Sequence, residues 1–148
     1  MGEIVVSSIE QLKDDKFEHY WPLIQAQLRM IPHVWEPWWT LDSIREFTLN
    51  NRFQCWGVGN AGVITGVIFS QIAMYPAQNV FQIVLAFGEG MTEHTLMIDA
   101  TLFRFATLNG CTRAEITGRP GWGPELRRLG FKQSNTTFSK RLQQERTH

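Results

Sequence analysis

A chain of 148 residues with 43% hydrophobic and 19% charged side chains has the length and make-up of one globular domain whose core needs no metal or disulfide. Fourteen Lys and Arg balance fourteen Asp and Glu, which excludes the strongly basic surface of a non-specific nucleic-acid binder. No apolar run approaches the ~20 residues of a membrane helix and no signal-peptide pattern opens the chain, so a cytosolic protein with Cys55 and Cys111 reduced is expected.

Ile4, Val5 and Val6 form a β-branched run that predicts a first strand. Phe17, Tyr20, Trp21, Ile24 and Leu28 recur at helical spacing and give one apolar face. Pro22 either sits in the first turn of a helix that starts near Trp21 or kinks a longer one. The stretch from Pro32 to Pro37 reads as non-helical, and Thr40 as the N-cap of a second helix reaching about Asn50.

Strands are predicted over 53–58, 63–75 and 80–87, separated by turn residues at 59–62 and 76–79, with Gly66 a possible bulge or bend in the middle one. A loop, Gly88-Glu89-Gly90, leads into a helix over about 92–109, with Ile98, Leu102, Phe105 and Ala106 inward and Gly110 as its stop. A strand over 112–117, a short helix over 123–129 stopped by Gly130, and a last strand from Phe131 towards Leu142 complete the chain, with a polar tail from about 143. The order β-α-α-β-β-β-α-β-α-β describes a single domain over 1–148 of α/β (mixed α+β) class, its mixed sheet covered by helices on both faces.

That order, together with Val84-Leu85-Ala86-Phe87-Gly88-Glu89-Gly90-Met91, Asn109-Gly110-Cys111, the turn Gly118-Arg119-Pro120-Gly121-Trp122 and the pair Gly130-Phe131, resembles the GNAT-like acetyltransferase-fold proteins of tailed phages and prophages. The resemblance spans roughly 40–142 and implies a GNAT fold with an acetyl-CoA site where the fourth strand splays from the fifth. There it points to Phe87, Gly88, Gly90, Met91, Thr92 and Arg119 as cofactor-binding residues, the pyrophosphate resting on backbone N–H groups at a helix start. The chain departs from the family pattern at Leu85, where Arg or Gln is usual, and at Leu126, where many members place an acidic Tyr. Glu89 between the glycines, and Glu93 in the expected first helical turn, oppose a bound anion.

Arg119 reads either as a phosphate or carboxylate clamp or as the pin of its own turn, stacked on Trp122. The stretch His33-Val34-Trp35-Glu36-Pro37-Trp38-Trp39 has three open readings. Trp35, Trp38 and Trp39 could wall an acceptor pocket with Glu36 or His33 as base, fill the core, or form a protein interface. The histidines show no metal-ligand spacing, and no metal is expected.

Two functions follow from the resemblance. The first is a phage-type GNAT-fold protein with an eroded acetyl-CoA site, associated with the virion or its assembly. Its partners would be phage structural proteins or copies of itself, and its place the host cytoplasm and the virion. The alternative is a working acetyl-CoA-dependent N-acetyltransferase acting on a small amine or protein amine.

Overall fold

The computed structural model describes residues 7–60, 62–89, 91, 94–117, 123–134 and 137–142. They fall into two compact units, 1–117 and 118–148. The first unit holds the strands β1 (Ser7–Leu12), β2 (Gln54–Asn60), β3 (Val63–Met74), β4 (Asn79–Gly88) and β5 (Cys111–Ile116) and the helices α1 (Asp14–Arg29), α2 (Pro32–Trp35), α3 (Leu41–Leu49) and α4 (Thr95–Leu108). The second holds the short helix α5 (Gly123–Arg128).

The strands form one sheet in the order β1-β2-β3-β4-β5, antiparallel except for the parallel β4–β5 pair. Alternate side chains feed two cores. Cys55, Val67 and Phe69 join Phe17, Trp21, Ile24 and Leu28 of α1, Trp35 of α2 and Ile44 of α3 on one face. Trp56, Val58, Ile68 and Phe81 join Leu102 and Ala106 of α4 on the other. The expected sandwich of helices about a mixed sheet is therefore present.

Local chemistry explains several boundaries. Thr40 caps α3 as predicted: its hydroxyl accepts from the Ser43 N–H at 3.0 Å while the Ser43 hydroxyl accepts from the Thr40 N–H at 2.8 Å. Pro22 lies within a continuous α1, on the exposed side opposite Phe17, Trp21, Ile24 and Leu28, which bury the apolar stripe. At the end of α5, Phe131 N–H donates to the Leu126 carbonyl and Gly130 N–H to that of Arg127, the Schellman pattern, and Gly130 takes φ +92.

Four expectations change. Residues 32–35 form one helical turn, because Pro32 stands at its start, where a missing N–H costs nothing. The first strand lies at Ser7–Leu12; Ile4, Val5 and Val6 are outside the described residues. The fourth helix begins at Thr95, three residues later than expected. The last strand is not formed among the described residues, since 131–134 and 137–142 lie outside regular structure and Phe138 and Leu142 are exposed rather than paired into a core.

Candidate functional site at the fork of β4 and β5

Two independent interruptions meet in the middle of β4. On its β3 side, Ser70 pairs with Ile83 and Phe69 with Leu85, so Val84 is an extra, bulged residue. The bulge shifts the strand's alternation. Phe81 and Ile83 pack towards α4, whereas Leu85 and Phe87 pack towards α1 and α3. On its β5 side, the parallel ladder ends at Ile83 opposite Ile116, and β4 runs five residues further to Gly88. β5 ends at Ile116, and among the described residues no residue of β4 beyond Ile83 pairs with β5.

The end of β4 is held by close backbone contact. Gly88 has φ +103, and a Cβ there would lie 2.4 Å from the Thr65 carbonyl oxygen and 2.7 Å from Gly66 Cα. Its register partner Gly66 is equally crowded: a Cβ would meet Met91 Cε at 2.6 Å. The Glu89 N–H donates to the Thr65 carbonyl at 2.9 Å, and the Thr65 hydroxyl donates to the Glu89 carbonyl at 3.0 Å. The loop is thus fixed to β3 while the Glu89 side chain points to solvent.

α4 begins just beyond. The Thr95 hydroxyl donates to the Met91 carbonyl at 3.1 Å, tying the first turn back to the loop. His94, only 3% exposed, occupies the position before the helix without capping it by its side chain. The first turn of α4 contains no carboxylate. Glu93, expected in the first turn, lies outside the described residues. A helix start carries a partial positive charge from the macrodipole, which favours anions.

The predicted site residues separate into groups. Phe87 is buried and stacked on Phe69, ring centroids 6.3 Å apart, so only its backbone is offered at the fork. Leu85, in place of the family's polar residue, is likewise core. Met91 is half-buried over Gly66 and packs with the α4-side core. Gly90, Thr92 and Arg119 lie outside the described residues. Leu126 is half-buried in α5 and its carbonyl accepts from Phe131.

The tryptophan stretch divides. Trp35 is buried, its Nε1–H donating to the Leu28 carbonyl at 2.7 Å, which closes the end of α1. Trp39 packs edge-on against Phe47 and Phe53, at 5.6 and 5.0 Å. Phe53 touches Phe69, which stacks on Phe87, so a run of rings connects this loop to the end of β4. Trp38 is 70% exposed, and His33 and Glu36 are exposed beside it.

One residue at the fork escaped the sequence reading. Asp99 of α4 has a buried Oδ1 with no hydrogen-bond partner among the described residues, and burial pushes its carboxyl above the ordinary value of 3.8. The available signal was the one acid of α4. A recess lined by Gln11, Trp56, Thr101, Arg104, Phe105 and Leu108 lies at the β1 edge, away from the end of β4, with Arg104 its only charge. Among the described residues no group of His, Cys, Asp or Glu could hold a metal, and no helix is long and apolar enough to cross a membrane.

Comparison with solved structures finds acetyltransferases. The aminoglycoside N-acetyltransferase AAC(6')-Iy in complex with CoA is similar with a TM-score of 0.64 and 17% identity, over 96% of this chain and 98% of that one. An aminoglycoside acetyltransferase from an uncultured soil metagenomic sample, in complex with sisomicin, is similar at 0.65 and 14% identity, over 93% and 97%. A predicted acetyltransferase from Clostridium acetobutylicum with acetyl-CoA gives 0.66 and 14%, over 92% and 96%. No family model and no curated protein sequence matches. At such identities the likeness is one of fold.

Proposed function

From the GNAT acetyltransferase fold that this chain has, we propose that it is an acetyl-CoA-dependent N-acetyltransferase acting on a small amine or a protein amine. The observation that carries the reading is the end of β4, which runs past its last described β5 pair at Ile83 into a glycine-backed loop that leads to the start of α4. Each part fits one part of the ligand. The edge of β4 from Val84 to Gly88 offers backbone donors and acceptors to an extended amide-bearing arm. The start of α4, with the backbone of Gly88 and Met91 before it, suits the pyrophosphate; the other residues the resemblance points to, Gly90, Thr92 and Arg119, lie outside the described residues.

Acetyl-CoA supplies an activated acetyl thioester. In direct transfer the amine nitrogen bonds to the acetyl carbon, the carbon–sulfur bond breaks, and the amine's proton passes to a base while the thiolate leaves. Glu36 and His33 are the candidate bases: both are exposed, and neither makes a side-chain hydrogen bond or ion pair among the described residues. Trp38, exposed between them and α3, is the aromatic surface available to an acceptor. Aminoglycoside acceptors, as in two of the similar structures, are one class of small amine to assay first.

A phage-type, virion-associated protein with reduced chemistry is the second reading. It rests on the resemblance of the sequence and on Leu85, Glu89 and Leu126, which depart from the enzyme pattern. The burial of Leu85 removes part of its force, because that side chain faces the core. Isothermal calorimetry separates the two. Micromolar binding of acetyl-CoA, with CoA released on adding an amine, is expected; no binding at millimolar acetyl-CoA overturns the enzyme reading.

A further inference from the structure

The position of Asp99 can be fixed in two directions. Around α4, the fully buried Leu102 marks the line that faces the sheet. Phe105 lies to one side of it and meets both Trp56 of β2, with centroids 5.1 Å apart, and Phe81 of β4, at 6.1 Å. Phe103 lies to the other side and meets Phe81 of β4 edge-on at 6.5 Å. At about 100° per residue, Asp99 falls on the Phe103 side, towards β4 and β5. Along the axis, α4 returns from the end of β4 to the start of the parallel β5, so it runs antiparallel to both. Asp99 lies one turn, about 6 Å, before Phe103. Two residues of strand, at about 3.3 Å each, cover the same distance from Phe81 and end at Ile83. Ile83 is the last residue of β4 to pair with β5.

The single carboxyl oxygen of α4 without a partner among the described residues therefore lies near Ile83, the last residue of β4 to pair with β5. A buried acceptor without a donor needs an explanation, and a missing ligand is one. Such a carboxylate takes an N–H donor and cannot favour a phosphate. The fork as read above would receive an arm that carries two secondary amides, each with one N–H. We propose that Asp99 is a cofactor-binding residue of α4, its Oδ1 accepting a hydrogen bond from an amide N–H of the pantetheine arm at the fork.

This inference rests on the acetyl-CoA reading, and its test separates the two. Acetyl-CoA and adenosine 3′,5′-diphosphate, which lacks the arm, are titrated into wild type, Asp99→Leu, Asp99→Ala and Asp99→Asn by calorimetry, with thermal midpoints measured in parallel. The Leu and Ala variants are expected to bind acetyl-CoA about tenfold more weakly and the diphosphate within twofold of wild type, at unchanged or raised thermal midpoints. Asn keeps a carbonyl acceptor and is expected to restore most of the affinity. Equal acetyl-CoA affinity in wild type and the Leu or Ala variant overturns the Asp99 role alone. Parallel loss of both ligands also overturns it, as general damage to the site. No binding by wild type overturns both readings.

Discussion

Thr65 and Glu89 hold each other twice: the Glu89 N–H donates to the Thr65 carbonyl, and the Thr65 hydroxyl donates to the Glu89 carbonyl. The pair fixes the loop after β4 onto β3, leaving Gly66 and Gly88 with no room for a Cβ.

The two glycines differ in what they would strike. Gly88→Ala meets backbone at 2.4 Å with φ +103, so a loss of about 3 kcal/mol or more is expected in urea unfolding. Gly66→Ala meets the mobile end of Met91, and about 1 kcal/mol is expected. Equal losses would mean that the loop relaxes as a whole.

Ser70 joins a buried chain: Trp56 Nε1–H donates to its hydroxyl at 2.9 Å, and that hydroxyl donates to Gln54 Oε1 at 2.9 Å. Ser70→Ala strands a donor and an acceptor and should cost about 2–3 kcal/mol. Gln54→Leu in the Ser70→Ala background should cost less than the sum of the single changes. Strict additivity in the double-mutant cycle would show the chain to be energetically unimportant.

Trp38 and Trp39 are adjacent but opposite in consequence. Trp39→Ala removes a ring packed on Phe47 and Phe53, and about 2–3 kcal/mol of stability should go with it. Trp38→Ala should leave stability within about 0.5 kcal/mol, since the ring is exposed. Its effect should instead appear in the KM for the amine, with that for acetyl-CoA unchanged.

Burial pushes the Cys55 thiol far above its ordinary value, and that of Cys111 upward in the same sense. A raised folded-state value means that the native protein keeps a proton which the unfolded chain releases. The contribution is complete below the ordinary thiol value of 9.0 and is lost as pH rises above it. Wild type should therefore lose up to about 1.4 kcal/mol per pH unit more than Cys55→Ala above that value, measured by urea midpoints. Parallel profiles would refute the burial of Cys55.

The sequence disclosed what local chemistry decides. The Thr40 cap, the Gly130 stop and the hairpin strands are written in residues that act on their immediate neighbours. What it concealed depends on register. The run 81–87 offers apolar residues to either face, so the Val84 bulge that turns Leu85 and Phe87 towards α1 has no local mark. Trp35, Trp38 and Trp39 are chemically alike; one helical turn after Pro32 sorts them into core and surface. Asp99 reads as an ordinary helical acid until the sheet is laid beneath it. The site's glycines were visible, though their observed work is to let β3 and the loop touch.

The mutual fit of Gly66 and Gly88 also bears on descent. Gly88 cannot gain a side chain without shifting the backbone of its neighbours across the ladder, whereas Gly66 would displace the end of Met91, so a lineage is held most tightly at Gly88. Glu89, with its backbone fastened and its side chain in solvent, is the position left open to drift. Charge at the mouth of the fork can therefore be reversed in a single mutational step without rebuilding the turn that carries it.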